Sequence, residues 1–101
     1  MNLKTTLQAY ITPELVELAQ GSAQVEIARP TWRQVLLEMV DVVAPEVGTD
    51  AAAAACYARL IMALGLLNSH MGDVALRDLI DFIEKLPDLP FDWLTAQAPP
   101  P

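Results

Sequence analysis

The sequence contains few of the residues that build metal sites, disulfides or nucleic-acid interfaces. It has one Cys and one His among 101 residues, which excludes a disulfide scaffold and leaves a His/Cys zinc site dependent on carboxylates or a second chain. The lone Cys favours a reducing compartment. Six basic side chains stand against 13 acidic ones, a net charge of −7. This balance argues against nucleic-acid binding, which needs clustered Lys and Arg.

Signatures of catalysis and of cofactor binding are also missing from the sequence. It has no Glu-x-x-His, no Cys-x-x-Cys, no Gly-rich phosphate loop and no EF-hand spacing. Ser69 and His70 are adjacent, and adjacent residues on a helix point about 100° apart, so they do not form a nucleophile and its base. We therefore expect no enzyme activity, no cofactor and no metal.

Targeting and membrane segments are not visible either. The first ten residues lack an apolar run of the secretory type, so the cytoplasm is the expected compartment. The most apolar stretch, residues 51–67, would reach roughly 25 Å as a helix, against about 30 Å of bilayer hydrocarbon. Arg59 near its centre would add about 3 kcal/mol to the cost of insertion. We expect no membrane span.

Apolar residues at helical spacing predict an all-α fold, a small bundle of four to five short helices around a central apolar helix (51–69). Residues 1–95 form the predicted single helical domain, and residues 96–101 a proline-rich tail. Thr12-Pro13 has the pattern of a helix start. The segment before Gly21 is therefore either two short helices or one helix kinked at Pro13.

The middle of the chain gives mixed local signals. Residues 24–28 alternate between polar and apolar, which hints at a strand, but a lone strand leaves its backbone unpaired, so we expect an irregular connection. Pro30 then begins a helix that ends at Pro45. The central helix is capped by Thr49 or Asp50.

The end of the central helix and the helix that follows it complete the predicted bundle. Gly72 and Asp73 are expected to end the first and cap the second, which runs to Pro87. His70 falls in the last turn of the central helix, where it would cap the negative end of the helix dipole.

The central helix also predicts self-association, because its apolar side chains cover every direction around the axis. Neighbours within one chain would cover part of that surface, and pairing about a two-fold axis would cover the rest. The expected homodimer interface comprises Ala54, Ala58, Arg59 and Met62. The alternative is a monomer whose other helices wrap this helix completely.

Two residues of the central helix need particular environments if the helix is buried. Arg59 would require an acid, and the candidates are Glu38, Asp41 or an acid of the second chain, at the dimer interface or its rim. Cys56 is expected to be a buried and inert thiol.

Two further features suggest partner binding. Asp81, Glu84 and Asp88 belong to an acidic face that is either a solubilising surface or a docking surface for a basic protein. Residues 86–94 interleave acids with large hydrophobic side chains, and Phe91 and Trp93 either close the core or anchor a partner.

The functional expectation is a small, acidic, cytoplasmic module for protein–protein interaction. It would act as a regulator or inhibitor by binding and masking a partner protein. The alternative is a structural subunit or assembly chaperone of a larger complex. A small enzyme and a carrier of a hydrophobic ligand are weaker alternatives, and each would require a suitable pocket.

Overall fold

The fold is all-α, as the hydrophobic periodicity predicts. The computed structural model describes residues 2–87. Within that range the helices are α1 (Leu3–Gln8), α2 (Pro13–Leu18), α3 (Ser22–Val43), α4 (Ala51–Leu66) and α5 (Gly72–Glu84), with a 3₁₀ turn at Ala44–Glu46. The proline-rich tail, residues 96–101, lies outside the described residues, and the domain boundary at residue 95 stays a prediction.

The N-terminal segment forms two separate helices and not one kinked helix. The Asn2 side chain accepts a hydrogen bond from the amide of Thr5 at 3.0 Å and caps α1. The Thr12 hydroxyl accepts one from the amide of Leu15 at 3.3 Å and caps α2, with Pro13 as its first residue. Each helix therefore carries its own start signal, which satisfies a free backbone amide.

Helix α3 corrects two sequence expectations. It begins at Ser22, so residues 24–28 are neither a strand nor an irregular connection, and Pro30 lies inside the helix and does not begin it. Val25 and Ala28 are buried and continue the apolar stripe of Trp32 backwards at helical spacing. The alternation was misleading because Ile27 is 78% exposed.

The ends of α4 and α5 also differ in part from expectation. Asp50 caps α4 as predicted, accepting hydrogen bonds from the amides of Ala52 and Ala53. Helix α4 ends at Leu66, three residues before the predicted boundary. The N-cap position of α5 is Met71, which makes no side-chain cap, and Asp73 lies in the first turn.

The turn between α4 and α5 is tight at Gly72. A Cβ atom there would lie 2.9 Å from the carbonyl oxygen of Leu66. A glycine therefore permits the close approach that brings α5 back along α4.

Helices α3, α4 and α5 pack on one another, with α1 packed on α5 and α2 on α3. Their inner faces supply most of the core. Fully buried core side chains include Trp32, Leu36, Met39, Leu60, Leu76 and Leu79. Helix α4 packs against both α3 and α5, and its central place in a bundle stays a prediction.

We expect Trp32 to contribute to stability through packing alone. It is fully buried, and its indole N–H has no hydrogen-bond partner among the described residues. Trp32→Ala should lower the free energy of unfolding by about 3 to 5 kcal/mol. Trp32→Phe should cost less than about 2 kcal/mol, because no hydrogen bond is lost. Urea denaturation would measure both, and an equal loss in the two variants would contradict the packing account.

Candidate interaction surface

Helix α4 presents two different apolar faces. Its inner face is buried and includes Ala53, Cys56, Leu60 and Ala63. Its outer face, defined here as Ala58, Ile61, Met62 and Gly65, is exposed. Ile61 is 45% and Met62 57% exposed. The helix is therefore not wrapped within residues 2–87, and the side left uncovered contains no charged residue.

The predicted dimer residues divide between two sides of α4. Ala58 and Met62 belong to the exposed outer face, and Ala54 is half-buried one turn before Ala58. Arg59 points about 100° away from Ala58, toward α5. Sequence reasoning missed Ile61, although its spacing of three residues from Ala58 places it on the same face.

The predicted ion-pair partners of Arg59, Glu38 and Asp41, were wrong. Its Nε lies 3.4 Å from a carboxylate oxygen of Asp78 on α5, in an ion pair that lacks hydrogen-bond geometry. The guanidinium carbon also lies 4.1 Å from the ring centre of Phe82. Glu38 and Asp41 are not involved, and no second chain is needed. The reason is the antiparallel return of α5, which brings an acid and an aromatic ring beside α4.

Asp81 and Glu84 lie beside the same cleft, and their role in partner binding stays a prediction. Both are exposed on α5 and line a cleft of about 200 Å³. Val16 of α2 and Gln20 in the turn after it form part of its opposite wall, a contribution that sequence reasoning missed. The cleft is thus shared between two helices that are far apart in the chain.

The acidic face carries less free charge than its composition indicates. Lys85 binds Asp81 at 2.8 Å, and this contact raises the pKa of Lys85. Arg77 binds Asp73 at 3.2 Å. Glu84 has no ion-pair partner among the described residues. Asp88, Phe91 and Trp93, the other predicted partner-binding residues, lie outside the described residues.

A second groove lies between α3 and α4, next to the outer face. It has a volume of about 240 Å³ and is lined by Arg33, Leu37, Leu64, Leu67 and Asn68. Leu37 is 44% exposed. The side chain of Arg33 is exposed and makes no ion pair with any residue in 2–87. The size suits one or two side chains and is below the usual range for a drug-sized ligand.

The remaining candidate groups have structural surroundings. His70 is exposed and follows the end of α4, so it is not in the last helical turn as expected. Its carbonyl oxygen lies 3.4 Å from the Ser22 hydroxyl, which is also 3.2 Å from Asp73. These contacts connect the start of α3 to the turn before α5.

No metal-binding cluster of His, Cys, Asp and Glu is found within residues 2–87. None of the described helices combines the length and the apolar character needed to cross a membrane. Comparisons with known protein families, with characterised proteins and with solved structures find no significant match to this chain.

We expect the Cys56 thiol to stay protonated in the native state. It is fully buried, and burial raises its pKa to about 12, with Arg59 acting weakly in the opposite direction. Ellman's reagent should therefore label it at pH 8 only after unfolding. Rapid labelling of the native protein would contradict this environment.

The same shift makes stability depend on pH. From about pH 9 upward the unfolded thiol ionises while the folded thiol does not, so the native state loses stability as pH rises, by up to about 1.4 kcal/mol per pH unit. Cys56→Ala should remove this part of the slope, and the difference between the two proteins isolates it from other titrating groups.

Proposed function

We propose that this protein is a small, acidic protein-binding module that regulates or inhibits a partner protein by covering its surface. The observation that carries the proposal is the outer face of α4, where Ile61 and Met62 are exposed on a helix without a polar side. Exposed apolar side chains grouped on one element favour contact with another protein surface. The single buried Cys supports a cytoplasmic setting.

The proposed assembly is a homodimer through this outer face. Two-fold pairing uses the same patch on both copies and covers Ala58, Ile61, Met62 and Gly65 together. The small residues at either end of the patch let two helix backbones approach closely. Arg59 lies beside the patch and supports it by holding α4 against α5.

The partner protein would bind a second surface, separate from the outer face of α4. Asp81 and Glu84 at the α2/α5 cleft supply negative charge for a basic partner, and Asp88, Phe91 and Trp93 follow directly in sequence. Charge of this kind mainly increases the association rate and the specificity, whereas a buried Trp supplies binding energy.

A structural subunit or assembly chaperone is the alternative, and the same exposed face favours it. In that case the outer face of α4 would bind a different chain, and the isolated protein would be a monomer or an aggregate. The mass in solution separates the two functions.

Light scattering behind gel filtration, over a tenfold dilution, tests the homodimer. We expect a mass twice the 11.0 kDa of one chain. Met62→Glu should give a folded monomer with an unchanged helical circular-dichroism signal, because it places a charge in the interface and not in the core. Ile27→Glu is the matched control, since Ile27 is exposed on α3 and should leave the dimer intact. A monomeric wild-type protein would refute self-association.

Trp93 tests partner binding separately. Trp93→Ala should abolish cross-linked capture of the partner from an extract of the source cells while leaving the melting temperature unchanged. Thr95→Ala, two residues away, is the control and should retain capture. A fall of several degrees in the melting temperature of Trp93→Ala would assign the side chain to the core.

A further inference from the structure

The outer face of α4 has a symmetric pattern of side-chain sizes. In chain order it is small, large, large, small: Ala58, Ile61, Met62 and Gly65. The centre of this pattern lies between Ile61 and Met62. A two-fold axis through that point and across the helix would place Ala58 opposite Gly65 of a second copy. The size pattern alone fits a parallel pairing equally well, so the direction must come from the charges beside the face.

The charges lie on one ridge of α3. Arg33, Leu37 and Asp41 are spaced by four residues and form an i, i+4, i+8 row along the helix surface. Arg33 and Asp41 are both exposed, and neither side chain makes a hydrogen bond or an ion pair with the described residues. They are about 12 Å apart along the axis. The ridge therefore offers an unpaired cation and an unpaired anion.

The position of this ridge along α4 follows from the groove. Arg33 lines the groove together with Leu64, Leu67 and Asn68, so it lies beside the last turn of α4. Helices α3 and α4 pack on each other across the short connection of residues 44–50, which implies that they run in opposite directions. Asp41, eight residues after Arg33, would then lie about eight residues earlier along α4, near the level of Ala58. The midpoint between the two charges therefore falls near residue 62 of α4. This is the same point about which the apolar pattern is symmetric.

Resting on the proposed homodimer, we infer that two copies pair with their α4 helices antiparallel and that Arg33 of each copy binds Asp41 of the other. An axis across the helix at residues 61 and 62 exchanges the positions of the two charges. This axis places the α3 side of one copy against the α3 side of the second. Two equivalent ion pairs then form, each between Arg33 of one copy and Asp41 of the other. The ion pairs then lie at the rim of an apolar contact, where they set the register.

The parallel pairing is disfavoured by the same charges. It would place the α3 side of one copy against the α5 side of the second. Asp41 would then approach the level of Asp78 and Asp81, which are already paired with Arg59 and Lys85. The parallel pairing therefore offers Asp41 only cations that already have a partner. The antiparallel pairing offers it the unpaired Arg33 of the second copy.

Charge reversal tests the ion pairs. Arg33→Asp and Asp41→Arg should each weaken the dimer about tenfold, because each single reversal creates two like-charge contacts. The double variant, which restores opposite charges, should bind within about threefold of wild type. Lys4→Asp with Glu17→Arg reverses two charges on α1 and α2 and is the matched control. A double variant as weak as the singles would overturn the pairing.

Thiol cross-linking tests the direction independently. In a Cys56→Ser background, a mixture of Ala58→Cys and Gly65→Cys chains should cross-link across the two variants with a short bismaleimide. Each variant alone should cross-link poorly. Gly65 tolerates a side chain because no atom lies within 4 Å of an added Cβ. Efficient cross-linking of Ala58→Cys to itself in a protein with the mass of a dimer would overturn the antiparallel arrangement but not the dimer. A monomeric mass for the wild-type protein would refute both the dimer and its antiparallel arrangement.

Discussion

The arrangement of the protein depends on the covering of one helix that is apolar on every side. Helices α3 and α5 bury the inner face of α4, where Cys56 and Leu60 are fully enclosed. Two neighbouring helices cannot enclose a third completely, so Ile61 and Met62 remain exposed. A soluble domain usually places polar residues on such a face. Their absence is the observation that most supports the proposed role in protein association.

The ion pairs of the basic residues also support the proposal that the outer face of α4 is an interaction surface. Of the six basic residues in the chain, all within residues 2–87, four form ion pairs with acids of the same chain: Arg29, Arg59, Arg77 and Lys85. Three of these four pairs lie on α5 or connect it to α4. The acidic excess is therefore partly neutralised around α5, whereas the Arg33 charge remains available beside the outer face.

Much of the fold could be predicted from local signals, and the errors have physical causes. Thr12 and Asp50 cap helices where the sequence places them, because a side-chain acceptor before an apolar run satisfies free amides. The predicted start of α3 was wrong because a proline such as Pro30 is typical of the first turn of a helix. A proline on an exposed helix side costs one backbone hydrogen bond, and the buried stripe through Val25 and Trp32 outweighs that cost.

The candidate surfaces were less predictable from sequence because they depend on which helices, far apart in the chain, pack beside each other. Periodicity places Asp81 and Glu84 on one helix, but only the docking of α2 forms a cleft beside them. Similarly, the sequence indicates that Arg59 needs an acid but does not identify Asp78 as that acid, because the pairing depends on how α5 returns along α4. The composition of α4 was informative because it does not depend on tertiary contacts. A helix without a polar side needs apolar contacts around its whole surface, whichever helices supply them.

In the proposed assembly, self-association and partner masking would be coupled by mass action. Two copies with a charge of −7 each repel one another, but the outer face of α4 contains none of the 13 acids. In the proposed dimer, burial of this apolar face would therefore oppose a long-range repulsion that salt screens. A partner that binds the α2/α5 cleft would leave the dimer intact and meet two sites per assembly. A partner that binds the outer face would have to displace the second copy, and its apparent affinity would fall as the dimer becomes more stable.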